Sequence, residues 1–494
     1  MSVFSDVNFK TASLLNDIRD IGITTRDTLT SKLQWKRADE VVPGFQKFIG
    51  TQIHPDAIGP NPSLPDYTFW KVLKHMASSP ELVRSLFVIR NEDNRGKYSM
   101  YVGVGDEKQE IEIDTNIPVL VGMDGKPSPG FCTITNNDIW PILFEKAVLK
   151  AYGTASILMG NNFVKQYGTV GPYSFKKITI GRGESLLKSE IFDRSWGRKL
   201  AVLTSNVPLQ AMSTAGGVKP NEAFPILKRV PNHSNGYLFK ILTNTVETQA
   251  IGKNYAPNSP LFNDMLKRDI DYNPGPTYMY GDEQELSKTF TTLYCFDYQN
   301  YSPKAIEEIN MHSFENKYLT IKNAIQNQEV VINFVQEIGK KPCPIRCLVG
   351  QLNPLQKKLE FVQILVSDEP KESLVLRGQD HLLIMDSESQ QKLRVYAYHE
   401  GQIELKEVKN NQGDLKGLEM MIWRDFMEKY EGSFEKDRDV PSGSPLPVDK
   451  AMYRIGEYHI FGAKCVNPLR ASYHFEGRQT TDNLIYDADS KQKA

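Results

Sequence analysis

The stretch that most constrains the fold is Leu64–Phe87, LPDYTFWKVLKHMASSPELVRSLF, because a turn there is followed by an apolar helical face. Pro65 and Asp66 stand where a helix commonly starts. Four apolar residues then recur at helical spacing: Phe69, Val72, Leu73 and Met76. A second turn, at Ser78-Ser79-Pro80, ends the pattern. We therefore expect a helix at the centre of a buried core.

Length and charge exclude several classes of protein. The chain has 494 residues, which predicts roughly three or four domains. Its 59 Lys and Arg residues and 60 Asp and Glu residues nearly cancel, so no basic field predicts binding to nucleic acid or an anionic membrane. Apolar runs such as Ile117–Met123 are too short to span a bilayer, and the N-terminus lacks a signal-peptide pattern. We expect a cytoplasmic protein without a membrane span.

The cysteine pattern predicts neither disulfides nor a metal site. Five cysteines are scattered along the chain: Cys132, Cys295, Cys343, Cys347 and Cys465. This odd, sparse set is typical of a reducing compartment. Cys343 and Cys347 have no second ligand pair at zinc spacing, since His381 is the nearest downstream histidine. No EF-hand loop is visible, so we predict no cofactor and no metal, and leave the binding of calcium open.

Beyond the central helix, the pattern alternates between strands and helices. A hairpin is predicted at Gly96–Val102 and Gln109–Asp114, and a helix at Asp138–Tyr152. His75 is expected to pack in the core. We expect three carboxylates to be solvated or to cap helices: Glu81, Asp114 and Glu145.

In the second half of the chain, the sequence pattern predicts separate strands first and then a β-sandwich. Strands are predicted at Lys199–Thr204, Phe224–Val230 and Tyr237–Leu242. Short apolar runs separated by charged turns then predict a sandwich: Val330–Val335, Ile345–Val349, Leu359–Val366, Leu374–Leu376, Leu382–Met385 and Lys392–Tyr398. Leu415–Tyr430 is an amphipathic helix in which four residues recur every fourth position: Leu418, Ile422, Phe426 and Tyr430. A charged, Ser- and Pro-rich linker follows at Gly432–Pro447.

Three stretches resemble calpain-type cysteine peptidases. Trp35-Lys36-Arg37 is similar to the tripeptide that opens their approach segment. In the central stretch, Asp66, Leu73 and Pro80-Glu81-Leu82 resemble their nucleophile helix. The most specific match is Ile139–Ala147, which resembles the Trp-x-x-Leu-x-Glu-Lys-Ala helix of the calpain core. The resemblance implies a papain-like core of two subdomains.

The resemblance also places the catalytic positions of the family on residues that cannot perform its chemistry. Tyr67 stands at the nucleophilic cysteine, Glu222 at the histidine base, Asn244 at the orienting asparagine and Asn61 at the oxyanion-hole glutamine. A thiolate nucleophile requires a lowered pKa and a neighbouring imidazole, whereas the pKa of a phenol is near ~10. Only the orienting residue is retained. The resemblance therefore implies a protein without peptidase activity.

Two other interpretations of this site remain open from the sequence. A tyrosine–carboxylate pair is the nucleophile of some glycosidases, but the sequence places no supporting acids or arginine cluster here. Alternatively, Tyr67 fills the cleft and donates a hydrogen bond to Glu222, which would join the two subdomains. Cys132 follows a Pro-Ser-Pro-Gly turn and could be an exposed thiol, yet no histidine is placed beside it, so we expect it to take no part in chemistry.

We therefore predict an α+β protein with a papain/calpain-like core, a β-sandwich and a C-terminal extension. The predicted domains are an N-terminal arm (1–34), core subdomain 1 (35–160), core subdomain 2 (161–305), the β-sandwich (306–410) and the extension (411–494). The predicted function is a non-catalytic structural or scaffolding subunit with protein partners, in a cytoplasmic, cytoskeletal or ciliary assembly. The alternatives are a regulatory decoy that binds peptides and an active calpain-like endopeptidase.

Overall fold

The structure is a computed structural model of the chain. It describes residues 6, 14, 21–50, 53–93, 95–121, 125–160, 162–180, 199–204, 222–232, 236–243, 254–274, 277–298, 303–313, 315–323, 329–337, 343–353, 358–367, 369–378, 380–387, 389–399, 401–408, 418–419, 421–422, 425, 435–436, 452–455 and 458–461. The chain forms two compact units, Met1–Tyr301 and Ser302–Ala494. Both α-helices and antiparallel strands are present, so the protein is of the α+β class.

The helices of the described residues lie in the first unit, apart from the helical residues 418–419, 421–422 and 425. The α-helices are Ile23–Lys32 (α1), Ala38–Val41 (α2), Trp70–Ala77 (α3), Pro80–Leu86 (α4), Trp140–Tyr152 (α5), Phe163–Gly168 (α6), Asp264–Asp269 (α7) and Glu283–Thr289 (α8). Short 3₁₀ turns occur at Pro55–Ala57 and Ala155–Leu158. Within the described residues, none of these helices has both the length and the apolar character needed to cross a bilayer.

The strands of the first unit form four antiparallel sheets. The strands are Leu33–Arg37 (β1), Ile58–Gly59 (β2), Phe87–Ile89 (β3), Lys97–Val104 (β4), Glu107–Asp114 (β5), Asn116–Val121 (β6), Pro127–Pro129 (β7), Thr133–Ile134 (β8), Ser174–Thr179 (β9), Lys199–Thr204 (β10), Phe224–Asn232 (β11), Gly236–Leu242 (β12), Tyr278–Asp282 (β13) and Thr292–Asp297 (β14). The largest sheet has the order β13-β12-β11-β10-β14-β9. The smaller sheets are β1-β6-β7, β3-β4-β5 and β2-β8. The predicted hairpin is present as β4 and β5.

The predicted central helix is present, but it begins later than the sequence indicates. Every residue of α3 is buried, which places it inside the core. The turn at Pro65 and Asp66 does not continue into helix, because the N–H groups of Thr68 and Phe69 both donate to Leu158 O, at 3.3 and 3.2 Å. The expected helix start is therefore wrong by four to five residues.

Helix α5 is the second buried helix and matches the most specific calpain-like motif. Ten consecutive residues, Trp140 to Leu149, are buried. Pro141 lies in the first turn, where its missing N–H has no intrahelical partner to lose. Gly153 ends the helix in the left-handed region, with φ 66°, and its N–H donates to Leu149 O at 2.8 Å.

The N-terminal segment contains a helix and a strand. The polar stretch TTRDTLTSK lies in α1, which buries Thr25 and Leu29, and the next residues form strand β1. Asp6 also contacts the core, because its N–H donates to Asp114 Oδ2 at 2.8 Å. The sequence from Phe9 to Ile21 has a weakly amphipathic pattern, but most of it lies outside the described residues.

Among the described residues, the second unit contains two large antiparallel sheets whose side chains share an apolar cluster. Its strands are Ala305–Met311 (β15), Lys317–Asn323 (β16), Glu329–Gln336 (β17), Ile345–Asn353 (β18), Lys358–Ser367 (β19), Lys371–Arg377 (β20), Asp380–Ser387 (β21), Gln391–Tyr398 (β22), Ile403–Glu407 (β23), Glu435–Lys436 (β24), Met452–Ile455 (β25) and Tyr458–Phe461 (β26). The sheets have the orders β15-β22-β17-β20 and β19-β18-β21-β16-β23, and a small third sheet is β24-β25-β26. Side chains of the two large sheets share one core cluster. All six apolar runs that the sequence assigned to strands are strands here.

Candidate functional site

The site is built around the turn that precedes α3. Asp66 O accepts the N–H of Gly160 at 2.8 Å, and Tyr67 forms an isolated antiparallel bridge with Met159. On the other side, the Asp66 carboxylate accepts the N–H of Gly22 at 2.8 Å. The turn is therefore fixed between the segment that follows α5 and the residue that precedes α1.

Tyr67 points into the protein interior, where its hydroxyl donates a hydrogen bond to Glu145 Oε1 on helix α5. Its side chain is 2% exposed. Burial and the neighbouring charge of Glu145 raise the pKa of Tyr67 well above its usual value. A phenol in this setting remains protonated, so it cannot act as a nucleophile at neutral pH.

Glu145 is fully buried and accepts hydrogen bonds from several donors. Besides the Tyr67 hydroxyl, the backbone N–H of Phe131 donates to Oε2 at 3.1 Å and that of Cys132 donates to Oε1 at 2.9 Å. Burial raises the pKa of Glu145 to about 7, while these hydrogen bonds act in the opposite direction. The expectation that Glu145 is solvated is wrong. It is the residue that ties helix α5 to the nucleophile position.

Cys132 is the sulfur of this cluster, and it is not an exposed thiol. Its side chain is fully buried, and its backbone N–H donates to Glu145 Oε1. Burial and the charge of Glu145 raise the pKa of the thiol well above its usual value. A reactive cysteine requires the opposite, an electropositive and partly exposed setting. The described residues place no histidine among its partners.

The base position is occupied by an ion pair. Glu222 precedes strand β11, and its Oε1 lies 3.1 Å from Lys71 Nζ on helix α3. Lys71 also donates to Ala223 O at 3.0 Å. The predicted contact between Tyr67 and Glu222 is therefore wrong. Lys71 follows Tyr67 by four residues, lies in the first turn of α3 and faces β11, whereas the tyrosine ring points towards α5.

A small cavity remains between α3, α6 and β11. The volume available to the centre of a water-sized sphere is about 10 Å³, which is room for about one water molecule. Its lining residues are Thr68, Lys71, Val72, Gly160, Phe163, Gln166, Tyr167, Ala223 and Pro225. The described residues therefore leave too little space here for a peptide side chain.

His75 connects helices α3 and α6, but it is not placed as a catalytic base. Its Nδ1 lies 2.5 Å from the hydroxyl of Tyr167 on α6. Burial lowers the pKa of His75 to about 3, so the ring stays neutral. The expectation that His75 is packed in the core is confirmed.

The remaining positions of the resemblance give little support for an oxyanion hole. Asn61 is 6% exposed, and its Oδ1 accepts the N–H of Ser63 at 3.0 Å, which stabilises a local turn. Asn244 lies outside the described residues. Among the described residues, no group of three or more His, Cys, Asp or Glu side chains could hold a metal ion.

A second buried charge pair lies one residue from Glu145. Lys146 is 1% exposed, contacts the Asp114 carboxylate and donates to Asn116 O at 2.8 Å. Burial opposes ionisation of Asp114, but the charge and hydrogen bond of Lys146 outweigh it and lower the pKa of Asp114. The expectation that Asp114 is solvated is wrong. Glu145 and Lys146, the Glu-Lys pair of the α5 motif, thus both bind buried polar groups. The motif itself was the sequence signal for this role, but we did not use it in that way.

Comparison with known proteins gives one informative match. Residues 4–193 match the family described as calpain family cysteine protease. This range includes Tyr67 and Glu145 and ends before Glu222. No curated protein matches the chain.

The similar solved structures do not support a conclusion about the fold or the function of this chain. A subviral particle of the infectious bursal disease virus protein VP2 is 9% identical over 63% of this chain and 71% of that chain, with a TM-score of 0.13. T=1 particles derived from the same virus are 8% identical over 63% and 66%, with a TM-score of 0.11. Both scores are too low to indicate a shared fold.

Proposed function

Because residues 4–193 form a calpain-family domain, we propose that this chain is a non-catalytic calpain-like protein that serves as a structural or scaffolding subunit of a larger assembly. One observation carries the proposal. The residue at the nucleophile position, Tyr67, is buried and donates its hydroxyl to Glu145. A side chain that stabilises the core in this way has no free nucleophilic atom to offer.

The architecture we propose is a papain-like core of two subdomains within Met1–Tyr301. The first carries the buried helices α3 and α5, and the second carries the six-stranded sheet with Glu222 at the start of β11. Two polar contacts support a close association of the proposed subdomains. Besides the pair of Lys71 and Glu222, the hydroxyl of Tyr278 on β13 donates to Asp56.

The small cavity beside Lys71 and the setting of Cys132 favour a scaffold over the two alternatives. A peptide decoy needs a groove several residues long, whereas the cavity beside Lys71 holds about one water molecule. An active endopeptidase needs a nucleophile and a base in contact. Cys132 is fully buried next to Glu145, and burial together with the charge of that carboxylate raises the pKa of its thiol, which makes it a poor nucleophile.

The experiment is a proteolysis assay on the purified full-length chain. Hydrolysis of casein and of fluorogenic peptides is measured with and without calcium, for the wild type and for the variants Tyr67→Phe and Glu222→Gln. We expect no turnover above a protein-free control for any of the three. Hydrolysis by the wild type that either substitution abolishes would overturn the proposal and establish an enzyme.

The scaffolding role is tested separately, by purification from native cells. We expect the chain to co-purify with larger proteins in a fixed ratio and to sediment with the detergent-insoluble cytoskeletal or ciliary fraction. Recovery as a free monomer in the soluble fraction would contradict this part of the proposal without affecting the absence of activity.

A further inference from the structure

The buried lysines of the first unit differ in the partners of their ammonium groups. Among the described residues, these lysines are Lys71, Lys74, Lys146 and Lys240. Lys71 pairs with a carboxylate at 3.1 Å, and Lys146 contacts the Asp114 carboxylate. Within the described part of the chain, neither Lys74 nor Lys240 has a carboxylate within hydrogen-bonding distance. Because a buried charge is normally paired, these two ammonium groups lack the anion that such positions usually have.

Lys74 lies in helix α3 and is 5% exposed. Its Nζ donates to Ile58 O on β2 at 3.2 Å, and the Asp56 carboxylate is 3.9 Å away. The ring of Tyr278 on β13 lies beside the ammonium group, with its centroid 4.9 Å from Nζ. Burial lowers the pKa of Lys74 to about 8, an effect that Asp56 opposes and Lys240 increases. The surroundings of this side chain therefore disfavour its positive charge.

Lys240 on strand β12 shares the same tyrosine ring. Its side chain is buried, its Nζ lies 4.3 Å from the centroid of Tyr278, and it donates to Asp271 O at 2.7 Å. The Asp271 carboxylate pairs instead with Lys228. Burial lowers the pKa of Lys240 as well. One tyrosine ring thus has two buried ammonium groups beside it, and each of them donates to a backbone carbonyl.

The group has an open side towards solvent. The Tyr278 hydroxyl donates to the Asp56 carboxylate, and the side chain of Asp56 is 57% exposed. The pair of Lys228 and Asp271 is also partly exposed. Three ammonium groups and two carboxylates leave an excess of positive charge here. We call this group the lysine cluster, and its members are Asp56, Lys74, Lys228, Lys240, Asp271 and Tyr278.

We propose that the lysine cluster binds a phosphate group, which accepts hydrogen bonds from Lys74 and Lys240 at the open side. Lysine suits this ligand because its ammonium group is a compact charge with three donors. Each of the two groups has one backbone acceptor among the described residues, so donors remain for an anion. The phosphate is either the free ion or the phosphoryl group of a larger ligand, since both present the same oxygens.

A bound phosphate would connect two parts of the first unit. Lys74 belongs to the buried helix α3, whereas Lys240 belongs to the six-stranded sheet. The anion would therefore stabilise the packing of the helix against the sheet. The inference does not rest on the absence of peptidase activity, because neither lysine contacts Tyr67 or Glu222 among the described contacts.

The test is isothermal titration of the purified full-length chain with inorganic phosphate, with chloride adjusted to keep the ionic strength constant. We expect one phosphate per chain. Lys74→Met and Lys240→Met should each weaken binding at least about tenfold, because a hydrogen bond to a charged group contributes at least this factor. Lys97→Met is the matched control, since Lys97 pairs with Glu112 on the sheet β3-β4-β5 and should leave the affinity unchanged.

Asp56→Asn should change the affinity in the opposite direction. The asparagine keeps an acceptor for the Tyr278 hydroxyl but removes a negative charge that repels the anion, so phosphate should bind about threefold more tightly or better. Urea titration in phosphate-free buffer checks that the variants fold. Lys74→Met should keep the midpoint of the wild type there, because it removes an ammonium group that has no carboxylate partner.

Three outcomes would overturn the proposal. They are absence of phosphate binding to the wild type, equal affinity of the wild type and both lysine variants, and no tighter binding by Asp56→Asn. Competition with O-phosphoserine then separates the two sources of the ligand. Displacement of phosphate shows that the site accepts a phosphoryl group on a larger ligand, whereas lack of displacement restricts the site to the free ion. The proteolysis assay is independent of all these results.

Discussion

The ammonium group of Lys71 lies 3.1 Å from a carboxylate oxygen of Glu222, and both side chains are largely buried. Lys71 belongs to the helix that follows the nucleophile position, and Glu222 stands at the base position of the calpain resemblance. The base position is thus connected to the helix that follows the nucleophile position by two charges that neutralise each other. This pairing, together with the bond between Tyr67 and Glu145, is the basis of the following predictions.

Removing one partner of the buried ion pair should destabilise the first unit strongly. Lys71→Met leaves Glu222 with an uncompensated buried charge, at a cost of about 3–5 kcal/mol. The free energy of unfolding is measured by urea titration. As a control, Lys97→Met removes a partner of the half-exposed Glu112, and it should cost at most about 1 kcal/mol. If the two substitutions lowered the free energy of unfolding equally, burial of the Lys71–Glu222 pair would add nothing to the cost of breaking it.

Loss of the Tyr67 hydroxyl should destabilise the core without changing its shape. Tyr67→Phe removes one donor to the buried Glu145, which should cost about 1–3 kcal/mol. The measurement is again urea unfolding. Tyr101→Phe is the matched control. Tyr101 is half-buried, and Lys108 Nζ lies over its ring, 4.0 Å from the centroid, so removal of its hydroxyl should lower the free energy of unfolding only slightly. A Tyr67→Phe chain as stable as the wild type would mean that the hydrogen bond adds no stability.

The pKa of Glu145 predicts a specific dependence of stability on pH. The unfolded carboxyl ionises near 4.5, whereas burial raises the folded pKa to about 7. Between these values the folded state binds more protons, so the contribution of Glu145 falls as pH rises from about 4.5 to 7 and is constant above. The total change is on the order of 3 kcal/mol.

Glu145→Gln isolates this contribution. The glutamine keeps a side-chain acceptor but does not titrate, so the difference in unfolding free energy between the wild type and the variant should decrease steadily with pH across that interval. The measurement is a series of urea titrations between pH 4 and 8. A difference independent of pH would show that the folded carboxyl titrates like the unfolded one.

The contact between Gly22 and Asp66 should be intolerant of a side chain. A Cβ atom at Gly22 would overlap Asp66 Oδ2 and lie 3.0 Å from Cγ, so Gly22→Ala should cost about 1–3 kcal/mol and loosen α1. Limited proteolysis and hydrogen exchange of α1 measure the loosening. The second substitution Asp66→Ala should restore protection. Gly168→Ala is the control, because its nearest neighbour would be Tyr173 Cε1 at 3.9 Å.

Much of the fold was predictable because local patterns determine it. The apolar period of α5 gave the helix to within two residues at its start, and all six predicted strands of the second unit are present. Where prediction failed, a long-range hydrogen bond had replaced a local one. Thr68 and Phe69 bind Leu158, so α3 starts at Trp70, and a polar stretch without an apolar period folds as α1 against the core.

The sequence by itself determined that a phenol stands at Tyr67 and a carboxylate at Glu222, and a phenol cannot replace a thiolate in acyl transfer. Only the tertiary structure decided which groups these side chains meet. Tyr67 pairs with Glu145 and Glu222 with Lys71, although Tyr67 and Glu222 had been expected to meet each other. The physical reason is that a buried polar group without a hydrogen-bond partner costs free energy, so each buried side chain must find one. Which partner it finds depends on how distant helices and strands pack together, and the spacing of residues along the sequence does not show this.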